Sequence, residues 1–92
     1  MIVYAECDFL IPTAHSLKEK RAVLQRVLTR TKQKFNVSIS EIDHQDVWQR
    51  TSIGLVAVAS QKDAAERELT HAIRHLESYP EWECIDIRKE YL

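Results

Sequence analysis

Two hydrophobic periods alternate along this chain, and their order leaves few folds open. From Ile2 to Ile11 one set of alternate positions is apolar throughout: Val3, Ala5, Cys7, Phe9 and Ile11. That period of two marks a strand with one face toward a core. After Pro12 the period lengthens. Leu17, Leu24, Leu28, Thr31 and Phe35, flanked by Val23 and Val27, fall on one stripe of a helix. Ser16-Leu17-Lys18-Glu19 opens it as a capping box, with hydroxyl and carboxylate positioned to satisfy each other's amides. Asn36 to about Asp43 returns to a strand through Val37, Ile39 and Ile42. The broken alternation at Glu41-Ile42 predicts a bulge. His44 to Thr51 is a polar connection carrying Trp48. Ser52 to Ala59 is a third strand, apolar on both faces at Ile53, Leu55, Val56, Ala57 and Val58, as a central strand should be. Gly54 within it marks a close approach of backbone. Ser60, with Asp63 three residues on, is expected to cap a second helix whose stripe is Ala64, Ala65, Leu69, Ala72, Ile73 and Leu76. Pro80 lies just past its end, and Glu83 to Tyr91 alternates again.

The β-α-β-β-α-β order is the split β-α-β pattern. Right-handed crossovers put both helices on one face of the sheet. The expected structure is therefore an α+β, ferredoxin-like sandwich: a four-stranded antiparallel sheet, first and third strands central, spanned by one domain over residues 1–92. On strict alternation Cys7 faces the helices and Cys84 the opposite side, so no disulfide is expected between them.

The 92 residues are enough for one modest core. No apolar run approaches the roughly 20 residues a membrane crossing requires, and the start lacks a basic n-region and an apolar h-region. A cytoplasmic location is the expectation, with both thiols reduced. Two cysteines without a C-x-x-C spacing do not make a zinc site, and no cofactor motif stands in the chain. His71 and His75 share a helix face at i, i+4, but Ala72-Ile73-Arg74 between them supplies no glutamate base and no third ligand follows. Neither a metal nor a cofactor is expected.

Net charge is −1, yet the charges are segregated. Between Thr13 and Asn36 stand Lys18, Lys20, Arg21, Arg26, Arg30, Lys32 and Lys34, against Glu19 as the one acid, a local charge of +6. The rest of the chain carries −7. The molecule should be bipolar, with a basic first helix. Lys18, Lys20, Arg21, Arg26 and Arg30 are the candidate nucleic-acid-binding residues, acting on phosphates without reading DNA sequence. The plainer reading of the same helix is a solvated face. Base stacking in the manner of RNA-recognition sheets lacks its motif, since Tyr4 is the only aromatic on the open face of the first strand.

A second candidate lies in the connection after the second strand. Gln45, Asp46, Trp48 and Arg50 could meet a partner, Trp and Arg being common interface anchors. Trp48 itself is expected to seal the end of the core, with its indole N–H bonded to a neighbour. An acid–base pair of His44 with Asp46 would need a nucleophile and a pocket, and the sequence displays neither. On the open sheet face, Ile2, Tyr4, Leu10, Val56 and Val58 leave apolar surface, so Tyr4 joins the partner-binding candidates. A second copy of the chain could bind there or along an edge strand.

Ile11-Pro12, His15-Ser16-Leu17-Lys18-Glu19-Lys20-Arg21, Phe35-Asn36-Val37-Ser38, Glu41, Gln45-Asp46 and Trp48-Gln49-Arg50 together closely resemble the YlxP-like bacterial family. The resemblance covers essentially the whole chain, although Ile42-Asp43-His44 is more polar than the family pattern. It implies a ferredoxin-like domain of unknown function in the bacterial cytoplasm, and it carries no catalytic residue across. Because genes of that family commonly stand among translation and ribosome-maturation genes, it also implies an accessory role there. The leading expectation is a non-enzymatic, RNA- or ribosome-associated factor. The alternatives are a protein-interaction or homodimerisation module and, third, a small enzyme. No membrane partner is expected.

Overall fold

A computed structural model describes all of residues 1–92. The elements run β1 (Ile2–Leu10), α1 (Leu17–Lys34), β2 (Ser38–Asp43), β3 (Arg50–Val58), α2 (Lys62–Glu77) and β4 (Glu83–Tyr91). The four strands form one antiparallel sheet in the order β2-β3-β1-β4. This is the ferredoxin-like α+β sandwich the periodicities predict, with β1 and β3 central. β1 and β3 pair without interruption from Ile2 opposite Val58 to Leu10 opposite Arg50.

Both helices cover the same face. α2 lies over the central strands, and α1 lies over β2 and against α2. Val3, Ala5, Cys7, Phe9 and Ile11 are fully buried beneath them, as their spacing predicts. The core continues through Ile53, Leu55, Leu24, Val27, Leu69, Ile73 and Leu76. Trp82, on the way into β4, closes one end of this core. It is 4% exposed, stacks on Phe9 with ring centroids 4.1 Å apart, and its indole N–H donates to the Leu76 carbonyl at 2.6 Å. That is the seal expected of Trp48.

Two bulges shape the sheet. One falls in β2 between Glu41 and Asp43, where the broken alternation predicts it. The extra residue, Ile42, leans over Gly54: a Cβ there would come within 3.0 Å of Ile42 Cγ2 and of the Tyr4 hydroxyl. The close approach at Gly54 is therefore made by side chains and not, as expected, by backbone. The other bulge lies where β4 pairs with β1, between Asp8 and Phe9. It pairs Cys84 with Phe9 and so turns Cys84 toward the helix side, against the core. The expectation of opposite faces fails because an extra residue inverts the alternation. Both cysteines are free. Burial pushes the Cys7 thiol up to about 12, with Cys84 and Glu77 adding to the shift, so it is a packed, unreactive group.

The helix ends differ. At α1 the Ser16 hydroxyl accepts from the Glu19 amide at 3.1 Å. The Glu19 carboxylate reaches back one residue further than the capping box requires, to the His15 amide at 2.6 Å. At α2 the cap is Gln61, without a side-chain bond, and not the expected Ser60. The helix starts one residue later than the sequence suggests, which takes the Ser60 hydroxyl out of register for capping.

Candidate nucleic-acid interface

The basic residues of α1 divide according to the stripe they fall on. Leu17, Lys20, Leu24, Val27 and Thr31 are spaced by three or four and so share the face toward the sheet. Lys20 is accordingly fully buried. Its ammonium lies 2.9 Å from Glu41 Oε2 and donates to the His44 carbonyl at 2.5 Å. The Thr51 hydroxyl donates to the same Glu41 oxygen at 2.6 Å. Lys20 thus cannot contact a polyanion, and its assignment to nucleic-acid binding is corrected. It is a structural pin between α1, β2 and the loop beyond. Arg26 is half exposed but ion-paired with Glu81, which removes most of its free charge.

Lys18, Arg21, Arg30, Lys32 and Lys34 are exposed, and none has a carboxylate within 4.0 Å. At about 100° per residue they flank a central strip of Ala22, Gln25, Thr29 and Gln33. Arg21 and Lys32 lie on one side, Arg30 and Lys34 on the other, and Lys18 near the middle at the helix start. The strip itself carries no charge and few bulky groups, so a partner can approach the helix closely between two rows of cations.

The His44–Arg50 loop sits beside the start of this helix and is held from several sides. His44 adopts a left-handed backbone (φ 64°), with its amide bonded to Asp43 Oδ1 at 2.7 Å. Its carbonyl accepts from Lys20 and from the Val47 amide. The Gln49 side-chain amide donates to the Pro12 and Ala14 carbonyls, both at 3.2 Å, and the Gln49 carbonyl accepts from the Ile11 amide at 2.8 Å. These bonds tie the loop to the β1–α1 connection. They leave Trp48 half exposed (50%) and Val47 exposed beside it. Trp48 does not seal the core. With His15, Asp46, Val47 and Gln49 it lines an open depression of about 440 Å³. Gln45 and Asp46 are exposed. The carboxylate nearest the His44 ring is Asp43, at 4.0 Å, so the His44–Asp46 pair does not form.

Arg50 leaves the loop in another direction, onto the open sheet face, where the structure gathers a cluster that the sequence reading misses. Asp8, 8% exposed, accepts from the Ser52 hydroxyl at 2.6 Å. Arg88 lies 3.5 Å and Arg50 3.7 Å from its other oxygen. Arg88 also meets Asp86, and Glu6 at 3.7 Å. The Ser52 hydrogen bond foremost, then Arg88 and Arg50, holds the Asp8 carboxyl below its ordinary range despite partial burial. The signal was present: a carboxylate between two core residues of a central strand must find partners across the sheet. This charged band divides the open face. Tyr4, Val56, Val58 and Ile2 lie on one side of it and Leu10 on the other.

His71 and His75 separate likewise. His71 is exposed, while His75 packs edge-on against Phe35 and Tyr79. Burial, with Lys34 and Arg30 adding to it, lowers the affinity of His75 for a proton. No group of three or more His, Cys, Asp or Glu side chains gathers to hold a metal. No helix is long and apolar enough to cross a membrane.

Comparison with known proteins adds relatives to this geometry. A family model described as protein of unknown function (DUF503) matches residues 2–89. The chain is 54% identical over 91 residues to a Bacillus subtilis (strain 168) protein described as uncharacterized protein YlxP, covering 99% of each. Among solved structures it is similar to the de novo designed protein Foldit4, with a TM-score of 0.60 and 14% identity over 100% of this chain and 99% of that one. At that identity the likeness concerns the fold alone.

Proposed function

This chain belongs to the DUF503 family, whose function is unknown, and from that premise we propose that it is a non-enzymatic accessory factor that docks on structured RNA. The ribosome is the setting that the resemblance to YlxP-like proteins suggests. One observation carries the reading: Lys18, Arg21, Arg30, Lys32 and Lys34 stand exposed along α1 without carboxylate partners. Four other bases, Lys62, Arg67, Arg74 and Lys89, also lack a carboxylate partner, but they are set among the acids of α2 and β4, so a polyanion is drawn first to α1. Cations in two rows around a neutral strip suit phosphates on either side of a close contact.

Trp48 supports the same reading. An indole on a pinned loop loses little freedom on binding, and a half-exposed aromatic next to basic residues suits an unpaired base. The molecule would then grip RNA through phosphates along α1 and one splayed base at the loop, with Asp46 and Gln45 at the rim. Arg50, turned toward Asp8, contributes little.

Filter binding to ribosomal subunits and to structured RNA across a salt series tests this. Five phosphate contacts give a slope of log K against log salt of about −3.5 to −4.5. The triple variant K18E/R21E/R30E is expected to lose most of the binding and to flatten the slope by about 2 to 3. Binding indifferent to salt, or unchanged in the triple variant, would overturn the proposal. Use of the open sheet face for docking is less well supported, because the Asp8–Arg88 band interrupts its apolar surface.

A further inference from the structure

We infer that β4 is a self-complementary edge, on which a second copy of this chain pairs antiparallel with Ile87 opposite the partner's Ile87. The inference does not depend on the RNA reading.

The sheet has two edges, and they are unlike. β2 is six residues long, bulged, and ends at the left-handed His44. A short, kinked edge of that kind resists pairing. β4 is nine residues long, has β1 on one side and no strand on the other, and is exposed everywhere except Cys84. Its apolar Ile85, Ile87 and Tyr91 are 45%, 40% and 49% exposed. A long edge with unpaired backbone groups and exposed β-branched residues is a pairing template.

The charges on β4 select the register. A two-fold axis perpendicular to the sheet keeps every residue on its own face, so the strands must pair about a residue and not between two. Asp86 and Arg88 lie on the open face, since they pair with Asp8 and Glu6 of β1; Ile87, opposite Cys7, lies on the helix face. Centring the pair on Asp86, Arg88 or Lys89 sets that residue against its own like charge, which is unfavourable. Centring it on Ile87 sets Asp86 against the partner's Arg88 and Arg88 against the partner's Asp86. On the other face it sets Ile87 on the partner's Ile87, and Ile85 against the stem of the partner's Lys89. Arg88 and Asp86 already bond within the chain, so the pairing closes an alternating square of four charges. The bulge that pairs Asp8 with Asp86 and Phe9 with Cys84 falls at Ile85 itself, which has no partner in β1; the kink there limits the pairing to Ile85–Lys89. The result is a continuous eight-stranded sheet.

Sedimentation equilibrium of the full chain tests this first: the wild type is expected at twice the chain mass. D86R and R88D each oppose like charges across the axis, so each alone is expected to fall to the monomer mass. Mixed in equal amounts they are expected to return to the dimer mass, because one variant then presents two arginines to the other's two aspartates. Independently, I87C placed in a C84S chain is expected to crosslink on oxidation, and I85C in the same background much less. The crosslink decides the question should the charge variants fail to fold. A wild type that remains monomeric overturns the inference. So does a dimer that ignores both charge variants, a mixture that stays monomeric although both variants are folded, or an I87C chain that does not crosslink.

Discussion

Two tryptophans show how much of this protein is decided by single side chains. Trp82 stacks on Phe9 and spends its N–H on the Leu76 carbonyl; Trp48 rests half in solvent. Trp82→Ala is expected to cost about 3–5 kcal/mol by opening a cavity at the end of the core, and Trp48→Ala no more than about 0.5 kcal/mol, as for a surface site. Urea midpoints of the two variants check the ordering. RNA binding should fall for the Trp48 variant and hold for any Trp82 variant that remains folded. The sealing role expected of Trp48 falls to Trp82, which no sequence pattern singles out. Periodicity identifies which face of a strand or helix is buried, but both tryptophans lie in connections, where burial depends on the path of the chain in space. Lys20 is a different kind of miss. Its place between Leu17 and Leu24 on the buried stripe was readable, and counting it among the free bases ignored that spacing. Asp8 adds a pH dependence. Its carboxyl titrates lower in the fold than when unfolded, chiefly through the Ser52 hydrogen bond. The unfolded chain therefore takes up a proton first as pH falls, and stability that is full above about pH 4 to 5 drains away through the folded value. Asp8→Asn is expected to lower stability at neutral pH and to flatten that acid limb, as urea midpoints measured down to about pH 3 would register.

At the level of elements, a long hydrophobic period is what ties the fold most firmly to the sequence. All six elements and their order followed from the spacing of apolar residues, because each buries one face and burial must match the period. The bulge in β2 was legible because it broke the alternation in the sequence itself. The bulge opposite Asp8 was not, because Glu83–Tyr91 alternates without a fault and the extra residue appears only through pairing with β1. Cys84 consequently fell on the wrong face. The start of α2 was misplaced for a local reason: Ser60 and Asp63 have capping-box spacing, but the extended residue before the first turn is Gln61. An uncapped N-terminus leaves amides to water, so it can be improved. Gln61→Ser or Gln61→Asp is expected to raise stability by about 0.5–1 kcal/mol, while Ser16→Ala at the capped helix costs about 1 kcal/mol. Thermal melts of the three variants check both signs.

For the whole molecule, the segregation of charge and the free β4 edge bear on each other. A two-fold axis perpendicular to the sheet puts both helix layers on one side of the extended sheet. α1 lies over β2, the strand farthest from β4. In the paired molecule the two basic helices would stand near opposite ends, on the same face. With strands about 4.8 Å apart, the seven intervals between the two β2 strands separate them by about 34 Å. An RNA long enough to span that distance meets two cationic helices at once, and the second contact forms at high effective concentration. A short hairpin meets only one. Monomerising R88D, which alters no residue of α1, is therefore expected to weaken binding to a long structured RNA by about a hundredfold or more, the range that bivalence supplies. Binding to a short hairpin should change little, because R88D moves the net charge at a site remote from α1. Titrating both RNAs against wild type and R88D separates the possibilities. Equal losses on the two would mean that Arg88 acts on RNA directly. No loss on either would mean that each helix works alone.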